Sequence, residues 1–176
     1  MKTALLALCA SVLIVAAPAA AAQKPAEKAS AETPAAYEPM APFAKLAGRS
    51  WRGEGTGPDG EPIVDIARYE MILGGRAFQS THKLEGGAYG GRTIIFYDEG
   101  AKKYVFHYFT TAGFHTTGEL TLTDTGFVSI EKVQGHDVYA EVRGEAVITD
   151  GQMRVSSQHV THDGEVSDGD GLVYRE

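Results

Sequence analysis

The chain has 176 residues, of which 22% are charged and 43% hydrophobic, the size and make-up of one globular domain. Its formal net charge of −7 argues against nucleic acid and anionic lipid as main partners. Composition gives no sign of a collagen-like, wholly disordered or polytopic membrane protein.

Lys2 precedes the apolar run "ALLALCASVLIVAA" and the small-residue stretch "PAAAAQ". That order predicts a secretory signal peptide over residues 1–22. The protein is then expected to be periplasmic or secreted, with no integral membrane association after cleavage. Cleavage would also remove Cys9, the only cysteine, so the exported chain must rely on its core rather than on a disulfide. Residues 23–42, "QKPAEKASAETPAAYEPMAP", read as a flexible Pro/Ala-rich linker. All 21 glycines lie at or after Gly48, which places the packed domain at residues 43–176. "PFAKLAG", with Pro42 at its start and Gly48 at its end, predicts a short helical turn.

Beyond Gly48 no long helical period occurs. Runs rich in β-branched and aromatic residues span Trp51–Gly57, Ile63–Leu73, Arg76–Leu84, Arg92–Tyr97, Lys103–Thr110, Gly113–Leu122, Gly126–Val133, Asp137–Thr149, Gln152–His162 and Val166–Arg175. Turn signals such as "PDGEP", "EGGAYGG", "TDTG" and "DG" separate them. Short connections favour antiparallel neighbours, and an open meander of about ten strands would leave two exposed edges. We therefore expect an all-β, up-and-down antiparallel barrel of about ten strands, behaving as a monomer.

Alternation supports a two-faced sheet. Val138, Ala140, Val142, Gly144, Ala146 and Ile148 share one face of their run. In the first run Trp51 shares a face with Gly53, Gly55 and Gly57. Either these glycines leave room above Trp51 for a ligand, or they mark only curvature and bulges.

"LAGRSWRGEGTGPDGEP", "MILGGRAFQS", "IIFYDEGAKKYVFHYF" and "TTAGFH" resemble a bacterial family of secreted or cytosolic β-barrels of unknown function. The same features are more loosely similar to nitrobindin-type haem-binding barrels, and remotely to lipocalins and fatty-acid-binding proteins. Two residues separate Gly48 from Trp51, where the lipocalin and nitrobindin pattern has one. The resemblance implies a calycin- or lipocalin-like barrel over residues 43–176. Its nitrobindin branch implies haem as cofactor, with iron held by His159.

Read from the residues, His159 aligns with Met153, Val155, Ser157 and Thr161 on the inward face of its strand. It is either a ligand residue or a buried histidine satisfied by a hydrogen bond. His162 lies three residues on, hence on the opposite face, and the two cannot chelate one metal. Phe106, Tyr108 and Thr110 share a face. If that face is inward, Tyr108 offers a hydroxyl in an apolar pocket. Asp168 shares a face with Asp170, Val166 and Leu172 by the same count. "GEGTGPDG" lacks the following helix of a dinucleotide loop, and no "HExxH" or "GxSxG" is present.

The favoured reading is a non-enzymatic, exported barrel that holds a small apolar or amphiphilic molecule. Its ligand-binding residues would be Trp51, Tyr69, Phe106, Tyr108, Phe114 and His159. The alternatives are a haem protein, or an isomerase-type or haem-linked enzyme using His159, Tyr108 or Asp168, and an envelope protein with a filled core.

Overall fold

The computed structural model describes residues 37–57 and 60–176. The expected signal peptide, most of the expected linker, and the tip of the "PDGEP" turn lie outside the described residues. Ten antiparallel strands form one closed sheet: β1 (Arg49–Thr56), β2 (Pro62–Ile72), β3 (Ala77–Leu84), β4 (Gly90–Asp98), β5 (Lys103–Thr110), β6 (His115–Thr123), β7 (Gly126–Gln134), β8 (Tyr139–Thr149), β9 (Gln152–Thr161) and β10 (Val166–Arg175). Each strand pairs with the next, and β1 pairs with β10, so no long edge is left to template association. The barrel expected from the sequence is the one found.

Parity along each strand decides what faces the interior. In β2 the buried positions are Asp65, Ala67 and Tyr69, while Arg68 and Glu70 face solvent. The connection between β8 and β9 is the two-residue turn Asp150-Gly151, and Gly151 has φ 75°, as a tight hairpin turn demands.

One end of the barrel is closed by the N-terminal segment. A 3-10 turn over Glu38–Met40 runs into a single helical turn, α1 (Ala41–Ala44), slightly ahead of the expected Pro42–Gly48. The last residues of the segment read as linker therefore pack here, with Met40 fully buried. Phe43 inserts between Phe78 and Tyr104, with ring centroids 5.4 and 5.5 Å away. The Tyr104 hydroxyl donates to the Pro39 carbonyl at 2.6 Å, and the backbone N–H of Tyr37 donates to Gly75 at 3.1 Å. Burial of Phe43 and Met40 stabilises this end by about 1.5–3 kcal/mol for each side chain.

Trp51 packs just inside the cap. Its indole N–H donates to the Leu46 carbonyl at 3.4 Å and its ring lies 6.1 Å from that of Tyr69. The glycines in line with it have two separate causes. At Gly55 an added Cβ would sit 2.1 Å from the Gly171 carbonyl oxygen, because β1 and β10 approach closely there. At Gly53 the space is filled by the ring of Tyr174. The room beside Gly53 thus belongs to another side chain of the protein.

Candidate functional site

Inside the barrel lies a cavity of about 290 Å³. This is at the lower end of the range for small-molecule sites, roughly 300–1,000 Å³. Towards the cap its wall is apolar, built by Phe43, Leu46, Phe78, Ile95, Phe106 and Met153. Farther from the cap the inward positions turn polar, with His82, Tyr108, Tyr174 and Glu131 on the wall.

These polar side chains form a belt. Asp65 on β2 is 1% exposed and accepts from two sides. The Tyr174 hydroxyl donates to its Oδ2 at 2.7 Å, and His82 Nδ1 lies 2.9 Å from its Oδ1. His82 Nε2 is 2.8 Å from the Tyr108 hydroxyl, which is 2.7 Å from the hydroxyl of Tyr89. On the far side of Tyr108, Thr116 is its register partner on β6. The Thr116 hydroxyl donates to Glu131 on β7.

Two glycines let this belt cross strands. Tyr174 on β10 reaches Asp65 on β2 by lying over Gly53 of β1, the register partner of both. A Cβ on Gly53 would stand 2.6 Å from the Tyr174 ring. Tyr108 on β5 reaches His82 on β3 by lying over Gly91 of β4, where a Cβ would stand 2.3 Å from its ring. The same device is used twice, and each time the missing side chain brings a tyrosine hydroxyl to a titratable partner.

Proton positions follow from the donor inventory. With Asp65 ionised and His82 neutral, Nδ1–H donates to Asp65, and Nε2 accepts from Tyr108, which accepts from Tyr89. With one more proton, His82 donates from both nitrogens, and the Tyr108 proton turns outward. Burial pushes the hydroxyls of Tyr108, Tyr174 and Tyr69 well above the ordinary phenol range, so all three stay protonated. For Tyr108 the Tyr89 hydrogen bond adds to the effect, and for Tyr174 the Asp65 charge does.

Desolvation also lifts the Glu131 carboxyl above the usual carboxylate range, against the opposing hydrogen bond from Thr116. Below the unfolded carboxyl's own range both states are protonated. As pH rises through the raised folded value, the buried group must ionise and stability is lost. Glu131→Gln is therefore expected to raise the thermal midpoint near neutral pH and leave it unchanged in acid below the usual carboxylate range. Melting curves across pH check this, and a variant that melts lower than the parent at neutral pH would contradict it.

Of the residues singled out in the sequence, Tyr69, Phe106 and Tyr108 line the cavity. Trp51, Phe114 and His159 are not on its wall. Trp51 lies behind it at the cap. Phe114 packs edge-on against His136, centroids 5.2 Å apart. His159 stands beside Tyr139 at 4.8 Å, and a Cβ on Gly169 would come within 3.0 Å of its ring. Asp168 is exposed and receives a hydrogen bond from Gln158 at 3.3 Å. A register shift between Asp168 and Gly171 breaks the parity that put it on one face with Leu172.

The fit to haem can be judged from this wall. The histidine on it, His82, has both ring nitrogens engaged, and the volume suits a single ring or short chain rather than a tetrapyrrole. The residues lining the cavity do not fit haem. Among the described residues, no group of three or more His, Cys, Asp or Glu side chains could hold a metal ion.

Asp65, His82 and Glu131 were missed in the sequence. The available signal was parity. Asp65 falls in line with Ala67 and Tyr69, and His82 with Phe78 and Ser80, on the inward faces of their strands.

No protein-family model matches the sequence, and no curated protein matches it. Among solved structures, the chain is similar to the crystal structure of Rv2717c from M. tuberculosis. The two share 12% identity with a TM-score of 0.61, over 80% of this chain and 98% of that one. At that identity the likeness is one of fold.

Proposed function

We propose that this barrel binds a small neutral molecule, with its apolar part against the aromatic floor and one hydrogen-bonding group at the polar belt. The observation that carries this is the pairing, in one cavity, of an apolar floor with the Asp65–His82–Tyr108 relay. Charge selects against an anion. Glu131 is on the wall and Asp65 lies directly behind His82 and Tyr174, the one basic side chain on the wall is His82, and neither Lys nor Arg is there. A fatty acid would bring a further carboxylate into a desolvated site that already holds two. The leader-like N-terminus supports an exported protein, and the quoted hairpin segments support membership of the secreted family of unknown function.

The test uses protein taken from the periplasmic fraction, and its absence there would contradict export. β-Naphthol serves as a neutral fluorescent probe and β-naphthoate as its anionic counterpart. Naphthol is expected to bind at least about ten-fold more tightly, which corresponds to about 1.4 kcal/mol. Ala67→Phe, which fills the cavity from a wall position, is expected to abolish naphthol binding. Equal or tighter binding of naphthoate, or unaltered binding by Ala67→Phe, would contradict the proposal. So would a Soret band on haem addition that is lost in His159→Ala.

A further inference from the structure

We infer that Glu131 and Tyr108 form an acid–base pair that moves a proton on a neutral carbonyl compound held in the cavity, an inference that rests on the binding reading above. This goes beyond a carrier and gives the barrel an activity, the shift of a carbon–carbon double bond next to a carbonyl.

Placement comes first. Tyr108 on β5 and Glu131 on β7 flank β6 and project inward. Tyr108 is level with Thr116 and Glu131 with Gly118, two residues along, so their backbones are about 12 Å apart, two strand spacings across and two residues along. On β6, Thr116 is opposite Tyr108, and Gly118 is the register partner of both Glu131 and Phe106. A Cβ there would stand 2.7 Å from the Phe106 ring and 2.8 Å from Glu131 Cβ, so the missing side chain lets both lean into the cavity. An acid and a base that reach one cavity from strands on either side of β6 suit a carbonyl oxygen and a carbon close to it on a substrate held between them.

Chemistry comes next. Glu131 receives one hydrogen bond, from Thr116, and its desolvated carboxylate has the raised proton affinity a general base needs. Tyr108 is the acid. In the state where His82 carries a proton on both nitrogens, Nδ1–H donates to Asp65 and Nε2–H to the Tyr108 oxygen, which leaves the phenol proton free to meet a ligand. With neither Lys nor Arg on the wall, negative charge that develops on the substrate oxygen is met by this proton.

The step balances without a co-reactant. Glu131 takes a proton from the carbon next to the carbonyl, and the C–H electron pair becomes a C=C bond. The C=O π pair moves to oxygen, which takes the Tyr108 proton while His82 passes its own to the Tyr108 oxygen. The product of this half is a dienol, with Glu131 protonated and His82 neutral. Return of the Glu131 proton to the far end of the dienol, and of the hydroxyl proton to the relay, moves the double bond into conjugation and restores every group.

The experiment gives the full barrel β,γ-cyclohexenone, a single-ring ketone, and follows formation of the conjugated isomer by ultraviolet absorbance. Displacement of bound β-naphthol reports separately whether the ketone enters. Isomerisation is expected to exceed the buffer rate by at least about 100-fold, and Glu131→Gln and Tyr108→Phe are each expected to remove that gain. An unchanged far-ultraviolet circular dichroism spectrum and a cooperative melting transition show that each variant is folded. Ketone that displaces naphthol yet does not isomerise above buffer overturns the inference and leaves the binding reading standing, as does ketone that fails to displace it. Full activity in Glu131→Gln overturns it too. If naphthol itself does not bind, the binding reading falls first.

Discussion

Asp65→Ala is expected to lower the unfolding free energy by about 3–5 kcal/mol, since it orphans two buried donors at about 1–3 kcal/mol each. Asp65 is 1% exposed and takes hydrogen bonds from two separate donors, Tyr174 and His82. Removing it leaves a buried phenol and an imidazole N–H without acceptors, besides a cavity where the carboxylate stood. Asp65→Asn keeps the shape and one acceptor oxygen, so its cost should be smaller, about 1.5–3 kcal/mol. Denaturant titration measures both. A loss under about 1 kcal/mol for the alanine variant, with an unchanged m-value, would mean that the belt is not a cooperative part of the fold.

Gly53→Ala is expected to cost about 1–3 kcal/mol, the usual range for overpacking, because the new methyl collides with the Tyr174 ring. The nearest atoms to that methyl all belong to Tyr174, and this makes a sharper test available. In a Tyr174→Leu background the same substitution should cost less than about 0.5 kcal/mol, a coupling well outside the additivity of independent sites. Gly91→Ala should behave differently. Its methyl would meet the Tyr108 ring at 2.3 Å and also the Phe109 backbone oxygen at 2.7 Å, so truncation of Tyr108 should relieve it only in part. Additive costs in the Gly53/Tyr174 cycle would contradict the role of Gly53 as the gap through which Tyr174 reaches Asp65.

Much of the architecture is legible in the residues. The runs Lys103–Thr110 and Val166–Arg175 coincide with β5 and β10, and the other strands begin and end within a few residues of their turn signals. Closure was also inferable, since a ten-strand meander has two edges to hide. Alternation puts Tyr108 on one face with Phe106 and leaves open which face is inward; the structure turns that face to the cavity. Partnership across strands does not follow from alternation. Asp65 and His82 are 17 residues apart and Asp65 and Tyr174 are 109 apart, and alternation within one strand says nothing about register between two. Asp168 shows the other limit. One irregularity in β10 reverses parity, so a residue count places it with Leu172 on a face that the two do not share. His159 drew notice for its residue type and inward parity, whereas the histidine that meets the cavity is His82 on β3.

The tautomer of His82 is the most direct check that Asp65, His82 and Tyr108 form one connected proton chain facing the cavity. Long-range nitrogen–proton NMR correlations of the ring, recorded at a pH where the imidazole is neutral, report it. The structure predicts a proton on Nδ1, held by Asp65, and a bare Nε2 that accepts from Tyr108. Asp65→Asn should then disturb that preference. A neutral His82 with its proton on Nε2, indifferent to Asp65→Asn and to Tyr108→Phe, would contradict the relay and the chemistry drawn from it.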